Sequence, residues 1–410
     1  MVNNEILKKY AALAVKVGVN IQKGQTLILN SPIECAPFAR LIAEEAFEAG
    51  AKDVVMNWND ELFSKVRYMK APDEIFDIVP EWQKEFYTSY AREGAAFLHI
   101  SASDPEVMKD VNPQKIARFQ KSRHIALKEY SDRIMTNKNA WSIVSVPTEA
   151  WSKKVFPGVS TEEAIKEMWD AIFRIVRVDK EDPVAAWEEH KKNLEKNMKV
   201  LNDYNFKYLY YKNSIGTDLK VELPKDHIWL GGADQTQDGV EFIANMPTEE
   251  VFTLPLKTGV NGTVVSSKPL NCNGNLVENF SITFKDGKIV DFTAEKGYDS
   301  LKSLIGTDEG SHYLGEVALV PYDSPISNSN IVFFNTLYDE NASCHLAIGK
   351  AYPVCFKNSE NMSEEELNQA GVNNSLVHDD FMIGTSDLEI TGVTYDNREI
   401  PVFKNGNWSF

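Results

Sequence analysis

The sequence predicts an α/β N-terminal domain with parallel strand–helix–strand units, followed by a β-rich α+β C-terminal domain. Two observations predict it. Through the first half, apolar runs of strand length alternate with stretches of helical periodicity. Near residue 205 the character changes, and short β-type runs separated by turn dipeptides take over. We therefore expect one domain over 1–205 and a second over 206–410.

Taken in order, Ile6, Tyr10, Leu13 and Val17 recur at helical spacing. Thr26–Leu29 is a short buried-strand run. A helix follows from Ala36 to Ala49, with Phe38, Leu41, Ile42 and Ala46 on one face and Gly50 as its stop. Asp53–Met56 is the next strand, and the connection is short enough for a right-handed parallel crossover. Ala96–Ile100 and Trp141–Val144 read as further strands. Ser160-Thr161-Glu162-Glu163 has the form of a capping box and opens a helix through Met168 and Ile172. A charged helix from Pro183 to Leu201 presents a solvated face with an apolar stripe. Beyond it, Leu219–Leu223 reads as a strand. Asp286-Gly287 between Ile282–Phe284 and Ile289–Val290 is a hairpin signal, Tyr298–Leu304 a helix, and Asn405-Gly406 a turn.

Composition excludes more than it assigns. The chain has 410 residues, enough for two or three domains with large cores. Its net charge of -17 excludes nucleic acid as the expected partner, because phosphate binding needs clustered Lys and Arg. No stretch approaches a membrane-spanning length of apolar residues, and no basic amphipathic segment fits a membrane surface. Cys35, Cys272, Cys344 and Cys355 form no C-x-x-C pair and are too few for a disulfide scaffold. The opening Met1-Val2-Asn3-Asn4-Glu5 lacks the basic start and apolar core of a signal peptide, so a cytoplasmic location is expected.

The last third strings acidic and histidine residues together in a pattern suited to metal ions. Glu249 and Glu250 precede Val251-Phe252, where alternation would turn one carboxylate towards a site and the other away. On that dipeptide alone, a solvated pair is the simpler reading. Glu316 is a lone carboxylate in the apolar run Leu314–Val320, and a buried carboxylate must be paired or metal-bound. Glu340 and His345 share one short segment. His378 and Asp380 share another and would project to the same face if extended. Taken singly, such a histidine is more often a satisfied structural residue, and the spacing matches no standard zinc signature. Tyr352 is a candidate hydrogen-bond donor to a developing oxyanion, or else a packing residue before Pro353. Carboxylates with imidazoles suit zinc, cobalt or manganese, and two such ions about 3.5–4 Å apart can activate a water and polarise a carbonyl. The C-terminal domain is thus expected to carry a metal site.

Several long segments together resemble the thermophilic metalloaminopeptidase family of the aminopeptidase T, aminopeptidase S and PepS type. They are Asn245–Thr253, Gly315-Glu316, Glu340–Ala347 and His378–Gly384, with Leu7–Ala11 and Val19–Gln25 near the N-terminus. The resemblance implies two metals, held by Glu250, Glu316, Glu340, His345, His378 and Asp380, with Glu316 bridging. It implies Tyr352 as the catalytic tyrosine and a homodimer whose active sites face an enclosed cavity. It implies removal of N-terminal residues from short peptides, with arginyl and aromatic residues favoured.

The expected mechanism is attack of a dinuclear metal-activated water on the first peptide carbonyl. One ion holds the free α-amine, Tyr352 donates a hydrogen bond, and Glu316 or Glu249 shuttles the proton. Two rivals stand beside it. Cys344 or Cys355 with His378 and Asp380 could make a cysteine hydrolase. A non-enzymatic binding protein could hold structural calcium, although histidines count against that ion.

Overall fold

The computed structural model describes residues 3–272 and 274–410. Met1 and Val2, on which the leader reading partly draws, lie outside them. Within the chain, contacts divide into two compact units: residues 1–192 with 232–248, and residues 193–231 with 249–410. Among the described residues no helix is long and apolar enough to cross a membrane.

The first unit is built on a four-stranded parallel sheet. Its order is Asp53–Asn59, Thr26–Pro32, Ala96–Ser101, Trp141–Ser145. Leu27, Ile28 and Leu29 are fully buried, as expected for strands covered on both faces. The helix Ala36–Glu48 between the first two strands buries Phe38, Ala39, Ile42 and Ala46. Gly50, in the left-handed region at φ +96, ends it as the sequence suggests. The N-terminal helix is shorter than expected. It stops at Leu13, and a π-type turn carries Ala14–Gly18 towards the first strand. Ser160 caps the helix Thr161–Ile175 by accepting the Glu163 backbone N–H at 3.2 Å.

The second unit contains a nine-stranded and a five-stranded sheet. In the former, Asn275–Lys285 and Lys288–Lys296 pair antiparallel around Asp286 and Gly287, both at positive φ, the backbone that the Asp-Gly dipeptide foretells. Asn405 and Gly406 also lie at positive φ and turn the strand Glu399–Lys404 into Asn407–Trp408. The five-stranded sheet runs His378–Met382, His345–Gly349, Leu314–Leu319, Val251–Thr253, Leu230–Gly231, and every pair in it is antiparallel. Its strands bury Val317, Leu319, Leu346, Ile348 and Phe381 in one core with Leu209, Tyr211, Ile282 and Ile390 of the larger sheet. Each such side chain contributes about 1.5–3 kcal/mol on burial. Because a strand alternates faces, the residues between them point the other way.

Candidate metal centre

That other face holds the acidic and histidine residues. Glu316 lies across from Ala347, and Ala347 across from Asp380, so the two carboxylates flank a small side chain on three adjacent strands. His345 is two residues before Ala347 and pairs with Ala318, while His378 is two before Asp380. The strand bearing Val251 pairs with Leu319, and Glu250 immediately precedes it. Continued one step, that register sets Glu250 on the face of Glu316 and Ala318. The alanines at 318 and 347 leave room that larger residues would fill.

A β-bulge between Leu314 and Glu316 re-aims the glutamate. Gly315 is what allows it: a Cβ there would lie 2.4 Å from the carbonyl oxygens of Gly349 and Lys350. The strand begins at Val251, later than the sequence implied, so neither glutamate before it is part of a regular strand. Glu249 is buried as well as Glu250, so the simpler reading of a solvated pair does not hold.

The resulting cluster is compact. Ligand atoms of Glu250, Glu316 and His345 lie within 4.8 Å of one another, and so do those of Glu316, His378 and Asp380. Glu316 belongs to both groups. Its Oε1 is 3.6 Å from His345 Nε2 and its Oε2 is 3.3 Å from His378 Nε2. Glu340, on the short turn Glu340–Ala342, is in neither group, although the charges of the cluster act on it.

Backbone carbonyls orient both imidazoles. His345 Nδ1 is 3.0 Å from the carbonyls of Glu340 and Ser343, and His378 Nδ1 is 2.6 Å from that of Lys350. A carbonyl can only accept, so Nδ1 carries the proton in each ring and Nε2 is turned towards the carboxylates. Two buried oxygens there lack partners. Glu250 Oε2 is 3.0 Å from His345 Nε2, and Asp380 Oδ1 is 3.5 Å from His378 Nε2, yet neither makes an aligned hydrogen bond.

Without a metal, protons compensate this charge. Burial works against protonating either histidine, but Glu250 and Glu316 raise His345 well above its ordinary value, and Asp380 and Glu316 do the same for His378. Burial also works upward on Glu316, yet the two imidazoles bring it down to about 2. Burial raises Glu250, with His345 offsetting only part of it, and burial plus the charges of Asp380 and Glu250 raise Glu340 strongly. Buried oxygens without an aligned hydrogen bond beside outward-turned imidazole nitrogens, with borderline and hard donors mixed, fit a divalent cation.

Tyr352 sits at the rim, its ring edge-on to His378 at 4.8 Å and to Phe252 at 5.9 Å. Burial, then the surrounding carboxylates, keep its phenol protonated well above the usual range, so it remains a donor. Cys344 does not fit a nucleophile. Its Sγ lies between the Val320 N–H and carbonyl at 3.4 and 3.3 Å, and burial pushes the thiol up to about 12.

The chain has close relatives. The chain matches the family described as thermophilic metalloprotease (M29) over residues 3–408. It is 53% identical over 404 residues to aminopeptidase 2 of Geobacillus stearothermophilus, covering 98% of each chain. The chain belongs to the M29 metalloprotease family. It is therefore a peptidase, a hydrolase whose family works with metal. Aminopeptidase T of Thermus thermophilus is 42% identical over 402 residues, with 98% of each chain covered. The solved structure of AmpT from that organism superposes with a TM-score of 0.90 at 40% identity, covering 99% of this chain and 100% of that one. A 2,5-dihydroxypyridine dioxygenase from Pseudomonas putida shares the fold alone, at TM-score 0.55 and 11% identity.

In this M29 chain, sequence reasoning gave no sign of the carbonyls of Glu340, Ser343 and Lys350 that aim the imidazoles. Backbone groups have no sequence signature. The Gly315-Glu316 pair was the one visible hint of the bulge.

Proposed function

We propose that the chain is an aminopeptidase that removes the N-terminal residue from short peptides, using two divalent ions. Glu250, Glu316, Glu340, His345, His378 and Asp380 would hold them, with Glu316 shared. The observation that carries this reading is the double membership of Glu316, whose two oxygens face different imidazoles. When bound, the ions would supply an acidified water and polarise the scissile carbonyl.

The chain's own residues do the rest. Nδ1–H donation to backbone carbonyls holds both imidazoles with Nε2 forward. Tyr352 Oη donates to the carbonyl oxygen as negative charge builds there. Glu249 or Glu316 moves the proton to the leaving amine. Zinc, cobalt and manganese all suit this donor set. Arginyl and aromatic N-terminal residues are the proposed preference. Four free buried cysteines agree with a reducing, cytoplasmic setting. A homodimer is the proposed assembly. Exposed Leu62, Phe63, Val66 and Met69 on the helix Glu61–Lys70 support it, since an apolar helix face favours being covered.

The test is release of p-nitroaniline from aminoacyl-p-nitroanilides by chelator-treated protein, with and without added cobalt or zinc. Metal-dependent release is expected. No release with any ion, or full activity in chelator, would sink the reading.

A further inference from the structure

We infer that Asn341 is a positioning residue that sets two proposed ligands, Glu250 and Glu340, at their working separation. The inference rests on the metal reading above and concerns a side chain that the reading does not use. Asn341 is 0% exposed, in the turn Glu340–Ala342. Its Oδ1 accepts the backbone N–H of Glu249 at 2.7 Å. Its Nδ2 donates to the Leu337 carbonyl at 2.9 Å and to Glu340 Oε1 at 3.2 Å.

The partners fix which way the amide points. A backbone N–H can only donate and a carbonyl can only accept, so the flipped amide would place donor on donor and acceptor on acceptor. One planar group thus joins segments 92 residues apart in sequence. At one end it fixes the backbone just before Glu250, where no strand pairing yet holds the chain. At the other it supplies a hydrogen-bond donor to the Glu340 carboxylate. Remove the amide, and Glu340 and the entry to the Glu250 strand each lose one hydrogen bond that sets their positions.

Two substitutions divide these roles. Asn341→Asp keeps the acceptor for the Glu249 N–H but sets a second carboxylate against Glu340. Asn341→Ala removes all three bonds and adds no charge. Cobalt(II) would be titrated calorimetrically into metal-free wild type and variants, with the visible absorption of the bound ion recorded. Near-ultraviolet circular dichroism of the metal-free proteins would report folding. Both variants should fold and bind cobalt about 10- to 100-fold more weakly, as losses around a metal's ligands do, with an altered visible spectrum and Asn341→Asp the worse. Folded variants with wild-type affinity and spectrum overturn the inference. So does unfolding of both, which would make Asn341 a clamp for the fold. If wild type itself binds no cobalt, the metal reading fails first, and that result is distinct from the others.

Discussion

Glu316→Gln isolates the shared carboxylate without changing its volume. Glu316 is 4% exposed, and glutamine fills the same space, so no cavity opens and the bulge that carries it is undisturbed. The chemistry changes on two sides at once. Without Glu316 the two groups fall to Glu250 with His345, and His378 with Asp380. Glutamine leaves one neutral oxygen to serve both groups in place of two charged ones, and the ions lose a negative charge in a buried setting. If the transition state loses roughly 4 kcal/mol of stabilisation, kcat/KM falls about a thousandfold. The measurements are metal content after dialysis, cobalt titration, p-nitroanilide turnover and near-ultraviolet circular dichroism. A folded variant with fewer bound ions and turnover down by orders of magnitude is expected. A folded variant with two ions and near-normal turnover would refute the sharing of Glu316.

Three further predictions follow from the same cluster and its supports. Cys344→Ala should leave kcat/KM nearly unchanged and cost about 1 kcal/mol of stability, because the thiol is buried packing; a collapse of turnover in folded protein would revive the thiol reading. Gly315→Ala should destabilise by about 1–3 kcal/mol in thermal melts and weaken metal binding, since its methyl group would meet the Gly349 and Lys350 carbonyls; wild-type stability and affinity would show that the bulge tolerates it. His227 is 2% exposed, and burial depresses it from 6.5 to about 4. Its contribution is therefore complete above pH 6.5 and lost as the pH falls towards 4, where the unfolded chain is protonated and the native one resists. Relative to His227→Phe, wild type should lose about 3 kcal/mol across that window by denaturant titration, and a pH-independent difference would contradict the assignment.

The elements that the sequence made legible are those in which burial and period coincide. Leu27–Leu29 is buried on both sides, and Phe38, Ile42 and Ala46 share a helical face, so apolar spacing named both. Asp286-Gly287 was legible because few other residue pairs accept positive φ twice in succession. The cluster was legible in its residue types, since Glu316 within Leu314–Leu319 demands compensation whatever the fold. Its register was not. A one-residue shift between Leu314 and Glu316 turns the carboxylate to a different face, and only pairing with the His345 strand decides it. Beyond Leu13 the backbone continues as a π-type turn over Ala14–Gly18, which apolar spacing alone does not signal.

The five-stranded sheet explains why the acidic residues tolerate burial at all. Each strand offers alternate residues to an apolar core and to the cluster, so Val317, Leu346 and Phe381 anchor the same backbone that bears Glu316, His345 and Asp380. The cost of gathering like charges is thus set against apolar burial in the same strands, not against a separate scaffold. Such coupling has a consequence for the metal-free protein. Its histidines hold protons that a cation would displace, so binding an ion must release them, and affinity should rise with pH until both imidazoles are neutral. Ladder hydrogen bonds and the carbonyls of Glu340, Ser343 and Lys350 hold the ring orientation throughout.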